Sequence, residues 1–401
     1  MWAKLVLDDA CDLITRGISP KYLETGGIRV LNQKCIRNHS IDYGLARRHD
    51  ISKKGIKEER YIQKGDVLIN STGHGTLGRV AQVRHAPDEP TTVDSHVTIV
   101  RPKPELFYLD YFGYAAIFIE DAIKDAGQGT SGQTELSKTK LKEEFFVNFP
   151  SGFDEQQRIV AKLDAAFAEI DVAIEAAVTK ETEVQKLKAS LLSSSFSGAA
   201  VMCKKAKLGD LFKIGSSKRV LKAEWKDSGV PFYRGREITT LSKTGNVNND
   251  LFISEEHFSE LKSKHGVPQE GDLLVTAIGT IGNTYIVREQ DRFYFKDASV
   301  LWLQKISSVD IRFVDYWFKS SSFFEQLEVG NGATVDTLSI SKLNVMDFPL
   351  PPLSEQQRIV AKLDAIFNEL VDSNEAIEQS KTNYQALKSA ILTQELQSEA
   401  E

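Results

Sequence analysis

Cations and amides crowd two tracts of this chain in a pattern that suits a polyanion with readable edges. In the first, Lys34, Arg37 and Asn38 are followed by Arg47, Arg48, Lys53 and Lys54. In the second, Lys213, Ser216, Lys218 and Arg219 lead to Arg234 and Arg236, then to Lys243 and Asn246. Arg and Lys neutralise phosphate, while Arg and Asn also offer paired hydrogen-bonding groups that fit base edges. Two glycine-bearing stretches add Thr130, Gln133 and Thr334, either as loop contacts of the same kind or as turns before short helices at Leu136 and Leu338.

Chemistry of other kinds finds no foothold in the sequence. There is no Asn/Asp-Pro-Pro-aromatic tetrapeptide of an amino-methyltransferase and no Walker A loop. The seven histidines, with Cys11, Cys35 and Cys203, form no metal-ligand spacing. Pro87-Asp88 lacks the Glu-x-Lys pair of a nuclease centre. The expectation is a chain without catalytic or metal-ligating residues. No apolar run reaches the ~18 residues of a membrane span, and the N-terminus has no signal-peptide pattern, which predicts a cytoplasmic protein.

The net charge of −6 is unevenly spread. Residues 1–150 carry 21 Lys+Arg against 20 Asp+Glu, and residues 201–350 carry 20 against 19. The acidity lies in 151–200 (5 against 8) and 351–401 (4 against 9). The two long blocks are therefore neutral on average and free to present local basic patches.

What must position these tracts is set by a repeat. The eleven residues Glu155–Ala165, Glu-Gln-Gln-Arg-Ile-Val-Ala-Lys-Leu-Asp-Ala, recur letter for letter at Glu355–Ala365. Each copy opens a stretch with apolar residues at helical spacing: Ile159, Leu163, Phe167, Ile170, Ile174 and onward, then Ile359, Leu363, Phe367, Leu370 and Ile377. That predicts two helices of about 44 residues, ~65 Å long, whose narrow seams call for a coiled-coil partner. Asn374, where the first copy has Ile174, is a candidate register-setting residue on the seam or an exposed one at its edge. Asp154 and Ser354 read as N-caps.

The blocks before the helices share anchors and little else. Gly65-Asp66-Val67-Leu68-Ile69 matches Gly271-Asp272-Leu273-Leu274-Val275, each ahead of a glycine-bearing loop, and Asp110-Tyr111 is aligned with Asp315-Tyr316. Short apolar or β-branched runs accompany one amphipathic helix in each block, Asp110–Lys124 and Val314–Leu327. The fold predicted is α+β, mainly antiparallel: domains at 1–153 and 200–353, long helices at 154–199 and 354–401, and a pseudo-two-fold arrangement. A parallel helix pair would place the second domain's exit ~60 Å from its entrance, too far for a domain of ~15 Å radius of gyration, so the pair is expected to be antiparallel.

Taken together, the chain resembles the DNA-specificity subunits of type I restriction-modification enzymes. The likeness rests on two recognition-type domains, each leading into a repeated long helix, and on Pro351-Pro352-Leu353-Ser354-Glu355-Gln356-Gln357-Arg358-Ile359. The first copy departs, reading Pro150-Ser151-Gly152-Phe153-Asp154 without the double proline. The resemblance implies a non-catalytic subunit. It would bind a split sequence in double-stranded DNA, dock two adenine-methyltransferase subunits and be joined by restriction-translocase subunits. S-adenosylmethionine, ATP and Mg²⁺ would then belong to those partners, with no cofactor on this chain. The repeated polar positions Gln156, Gln157, Arg158 and Lys162, with Gln356, Gln357, Arg358 and Lys362, are expected to face the methyltransferases. The rival expectation is a coiled-coil scaffold whose end domains bind proteins.

Overall fold

The computed structural model describes residues 1–127, 135–328 and 337–397, with the backbone alone at 199–202. Thr130, Gln133 and Thr334 lie outside the described residues. The chain forms two compact units, Met1–Ala177 with Gln379–Glu401, and Val178–Glu378. The division between the units runs through the long helices. The reason is packing: each globular core recruits the start of one long helix and the end of the other.

Both units are built on the same four-stranded antiparallel sheet. In the first the order is Cys11–Arg16, Val97–Pro102, Val67–Asn70, Val80–Gln82. In the second it is Phe212–Ser216, Val300–Lys305, Leu273–Thr276, Thr284–Ile286. Val67–Asn70 and Leu273–Thr276 are buried along their whole length, which is why they read as continuous apolar runs and not as alternation. The Gly-Asp pair ahead of each has a structural cause. Gly65 and Gly271 take φ of 93° and 81°, a region that favours glycine. The carboxylates of Asp66 and Asp272 accept the amides of Gln63 and Gln269 at 2.9 Å, closing the turn that starts the strand.

A smaller sheet in each unit differs. The first unit has four strands in the order Thr91–Val93, Ile28–Leu31, Arg47–His49, Tyr22–Leu23. The second has three, Phe252–Ile253, Val230–Tyr233 and Tyr294–Phe295. Each contains one parallel pair, so the expectation of a mainly antiparallel architecture holds for the larger sheets and is mixed in the smaller ones. The surrounding elements diverge further. The first unit has a hairpin, Ile36–Arg37 with Ser40–Ile41, turned by Asn38 and His39 at φ 50° and 57°. The second has helices Gly235–Thr244 and Glu255–His265.

The amphipathic helix of each block is broken in two: Leu109–Phe118 with Glu120–Ala126, and Ile311–Phe318 with Ser321–Glu328. Their structural equivalence is one helical turn away from the alignment of Tyr111 with Tyr316. Tyr114 and Tyr316 occupy the same place, each 5.5 Å edge-on to a repeated phenylalanine, Phe167 and Phe367. The dipeptide Asp-Tyr recurs by coincidence one turn out of phase.

The long helices span Phe153–Met202 and Leu353–Leu396. They begin one residue before Asp154 and Ser354, so those residues lie in the first turn and are not caps; the carbonyls of Gly152 and Pro352 accept the first amides, from Gln156 and Gln356. Pairing is antiparallel within each unit. In the first, Lys162 pairs with Glu395 at 2.6 Å and Asp171 pairs with Lys388, while Ile159, Val160 and Leu163 share a core with Leu392 and Leu396. In the second, Leu192 and Phe196 share a core with Ile359, Val360, Leu363 and Phe367. Lys388 lies 5.1 Å from the Phe167 ring and Lys188 lies 5.0 Å from the Phe367 ring, the same contact in each unit.

Candidate nucleic-acid interface and helix surface

The repeated polar residues of the long helices separate into two groups. Gln156 and Gln356 are 0% and 2% exposed. The side chain of Gln156 accepts the amide of Tyr108 at 2.7 Å and donates to the carbonyls of Leu106 and Pro150 at 3.0 and 2.9 Å. Gln356 accepts the amide of Asp310 at 2.9 Å and donates to the carbonyl of Pro351 at 2.8 Å. The expectation that these two amides face a partner is therefore corrected: they clamp each long helix to its own domain, because buried carbonyls and amides there have no other match. Asp164 and Asp364 do the same work about two turns on, accepting the hydroxyls of Tyr114 and Tyr316 at 2.5 Å and bonds from Arg84 and Arg312. Burial, reinforced by these bonds to carboxylate, pushes both phenols well above their ordinary pKa.

The rest stays outside. Gln157, Arg158, Ala161, Lys162 and Ala165 are exposed, as are Gln357, Arg358, Ala361, Lys362 and Ala365. Arg158 and Arg358 form two-pronged pairs with Glu155 and Glu355, 2.8 and 2.7 Å, which hold those carboxylates below their usual range. Each helix thus displays one amide, one arginine, one lysine and two alanines on the same face. Small residues between long polar ones let another backbone approach closely.

The basic tracts of the domains also separate once their partners are visible. Lys34, Arg37 and Arg47 are exposed and have no carboxylate partner among the described residues, and the same holds for Lys213, Lys218 and Lys243. Arg48 is tied to Glu89 at 2.6 Å, Lys53 lies 3.5 Å from Asp50, and Lys54 donates to the Ser19 carbonyl at 3.3 Å. Arg219 pairs with Asp297 at 2.9 Å. Ser216 is not a free hydroxyl: it donates to the Val300 carbonyl and accepts the Ala298 amide.

Arg234 and Arg236 stand at the start of the helix Gly235–Thr244, which also carries Lys243 and ends at Gly245 with φ 71°. Ile238 and Leu241 bury one face of that helix, and the tract's many polar residues hide so short an apolar repeat. Both arginines grip Glu237 and Asp250, an arrangement that removes them as free cations. Burial pushes the Glu237 carboxyl up, but the two guanidinium bonds outweigh it and hold the pKa below its ordinary value. Asn246 is exposed just beyond, its carbonyl accepting from Thr244 at 2.6 Å.

Asn38 falls among the helices and not apart from them. The hairpin tip, Asn38–Ser40, lines a cleft of about 990 Å³ together with Tyr114, Glu120, Asp164, Asp171 and Lys388. His39 reaches Glu120 at 3.2 Å. Within it Glu120 is paired with Lys124 and Asp171 with Lys388, while Asp164 accepts the Tyr114 hydroxyl. Tyr22, which the sequence reading passed over, underlies Arg47 with its ring centroid 3.4 Å from the guanidinium carbon. Its two-residue strand has too little periodicity to announce itself.

Among the described residues no group of three or more His, Cys, Asp or Glu could hold a metal ion, and no helix is long and apolar enough to cross a membrane. Twin domains on repeated helices, alike in their larger sheets and helix clamps and different in their smaller sheets and loops, define the class of a duplicated two-unit protein. The particular family follows from sequence: the chain belongs to the family described as type I restriction modification DNA specificity domain, which matches residues 1–181 and 201–380.

It is 32% identical over 198 residues to a putative type I restriction enzyme specificity subunit of Haemophilus influenzae, spanning 48% of each chain. A putative MjaX specificity subunit of Methanocaldococcus jannaschii is 26% identical over 423 residues, 95% of this chain and 91% of that one. The chain therefore spans about half of the first relative and most of the second. In fold, it is similar to a chain from a solved type I restriction-modification assembly, with TM-score 0.72 and 16% identity over 99% and 98% of the two chains. The HsdS subunit of Thermoanaerobacter tengcongensis gives TM-score 0.51 and 18% identity over 99% and 97%.

Proposed function

We propose that this chain is the non-catalytic, DNA-reading subunit of a type I restriction-modification complex. Each unit reads one half of a bipartite duplex target. The helix pair sets the spacer between halves and docks two methyltransferase subunits, which restriction-translocase subunits then join. S-adenosylmethionine, ATP and Mg²⁺ act on those partners.

The observation that carries this reading is repetition with selective divergence. The larger sheet, the Gln and Asp clamps and the exposed Gln157-Arg158-Lys162 face are the same in both units, whereas the smaller sheets and their loops differ. One kind of partner seen twice accounts for the constant surface, and two different sequences account for the variable one. Most of the unpaired cations named above, Lys34, Arg37, Arg47, Lys218 and Lys243, lie outside the strands of the larger sheets, which suits a polyanion read differently by each unit better than a protein scaffold. Candidate contacts are the unpaired set, Lys34, Arg37, Arg47, Lys213, Lys218 and Lys243.

The test is methylation mapping by long-read sequencing in a host that expresses the chain with and without its cognate methyltransferase. The expected result is one split, non-palindromic motif that depends on both proteins. A continuous or perfectly palindromic motif would refute the assignment of one half-site to each unit. Binding of the purified chain to duplex DNA should weaken linearly in log–log form as salt rises, an outcome a protein scaffold does not give.

A further inference from the structure

Arg47 and Arg48 are adjacent in sequence and opposite in circumstance. Their strand, Arg47–His49, pairs with Ile28–Leu31 on one side and Tyr22–Leu23 on the other, so successive side chains face opposite ways. On one face Arg48 joins Arg29 in a cluster with Asp88 and Glu89. On the other Arg47 meets no carboxylate among the described residues and lies on the Tyr22 ring, the shortest cation–aromatic contact described. The register puts Tyr22 opposite His49, one diagonal step from Arg47, a distance long side chains bridge.

The backbone beneath is firmly placed. His49 is fully buried, accepting the Lys21 amide at 2.8 Å and bonding the Lys54 carbonyl at 2.7 Å; Val30, opposite Arg47, is also fully buried. Tyr22 itself is 40% exposed, so the stacked pair faces solvent. A guanidinium held against a ring has already lost much of its rotamer freedom, and no carboxylate among the described residues engages this one. Arg48 would have to give up Glu89 to bind anything else.

We propose that Arg47 is a DNA-gripping cation of the first unit and that Tyr22 is its positioning residue. The inference rests on the DNA-reading function proposed above. It is specific to one half-site, because the corresponding strand of the second unit, Phe252–Ile253, is apolar.

The experiment uses the full chain and a duplex carrying the motif that methylation mapping assigns to it, titrated over a salt series. Arg47→Ala should weaken binding between about 5- and 150-fold. It should also either lower the salt slope by about one or loosen the methylated motif at one position of one half-site. Tyr22→Leu should weaken binding about 2- to 5-fold, Tyr22→Phe should restore it, and Tyr22→Leu should add nothing to Arg47→Ala. Arg48→Ala should lose less than Arg47→Ala.

Wild-type binding that is insensitive to salt would remove the DNA reading and this inference with it. Salt-sensitive wild-type binding with unchanged Arg47→Ala overturns the inference alone. So does a Tyr22→Leu loss that persists in the Arg47→Ala background, since it would then be a matter of folding.

Discussion

At the scale of single residues, the surest assignments concern groups that turned inward. Gln156 satisfies one amide and two carbonyls, Gln356 one of each. Each buried partner left orphaned costs about 1–3 kcal/mol. Gln156→Leu is expected to lower unfolding free energy by about 3–4 kcal/mol and Gln356→Leu by about 2 kcal/mol, in urea titrations; equal small losses would show that these bonds do not hold the helices down. Glu237 gives a pH test. Its folded pKa lies below the ordinary 4.5, so its stabilisation is present above that value and fades as pH falls through the lower, folded pKa. The stability gap between wild type and Glu237→Gln, about 1–3 kcal/mol near neutrality, should close on acidification. A gap that widens in acid would reverse the sign.

At the scale of elements, the helices follow their heptads closely. Buried or half-buried positions fall at 170, 174, 177, 181, 184 and 188, and again at 370, 374, 377, 381, 384 and 388. Asn374 sits half-buried on that seam with a buried, unpartnered Oδ1. Replacing it by the isoleucine of the first copy should raise stability by about 1–2 kcal/mol, read by thermal unfolding. Destabilisation by Asn374→Ile would mean that the amide is satisfied in solution. The spacer proposal also belongs here. Because the seam repeats every seven residues, an insertion must be a whole heptad and must be made in both helices to keep register. Seven residues add ~10.5 Å, so the preferred spacer should lengthen by about three base pairs at ~3.4 Å each. Methylation mapping that shows an unchanged spacer with altered half-sites would sink the ruler idea.

At the scale of the whole molecule, recognition and assembly should be separable by mutation. Arg158→Glu with Arg358→Glu reverses charge on both copies of the exposed helix face. Methyltransferase capture in a pull-down should fall, while Arg47→Ala leaves capture intact. The reversal also sets two carboxylates one turn apart, costing a few tenths of a kcal/mol per helix, so unfolding is followed alongside. Normal capture by the helix variant, with loss by the Arg47 variant, would show the two surfaces to be assigned the wrong way round.

The sequence by itself determined whatever is written in short-range periodicity or in repetition. The eleven-residue identity, the heptad seams, the runs that became Val67–Asn70 and Leu273–Thr276 and the Gly-Asp turns are all local, so hydrophobic spacing and glycine's conformational freedom suffice to place them. The antiparallel sense of the helices also followed from chain connectivity and length. The helix Gly235–Thr244 stayed hidden because its apolar face is two residues in a polar tract.

The tertiary structure alone decided which polar residues are free. Gln156 meets Tyr108 48 positions away, and Arg48 meets Glu89 41 positions away. An amide that clamps a buried turn and one that faces solvent have the same letter in a repeat. Arg47 and Arg48 differ only because a strand sends neighbours to opposite faces and the sheet puts Tyr22 beneath one and Glu89 beside the other. Hydrogen-bond and ion-pair partners are chosen by proximity in space, and a single sequence does not encode that distance.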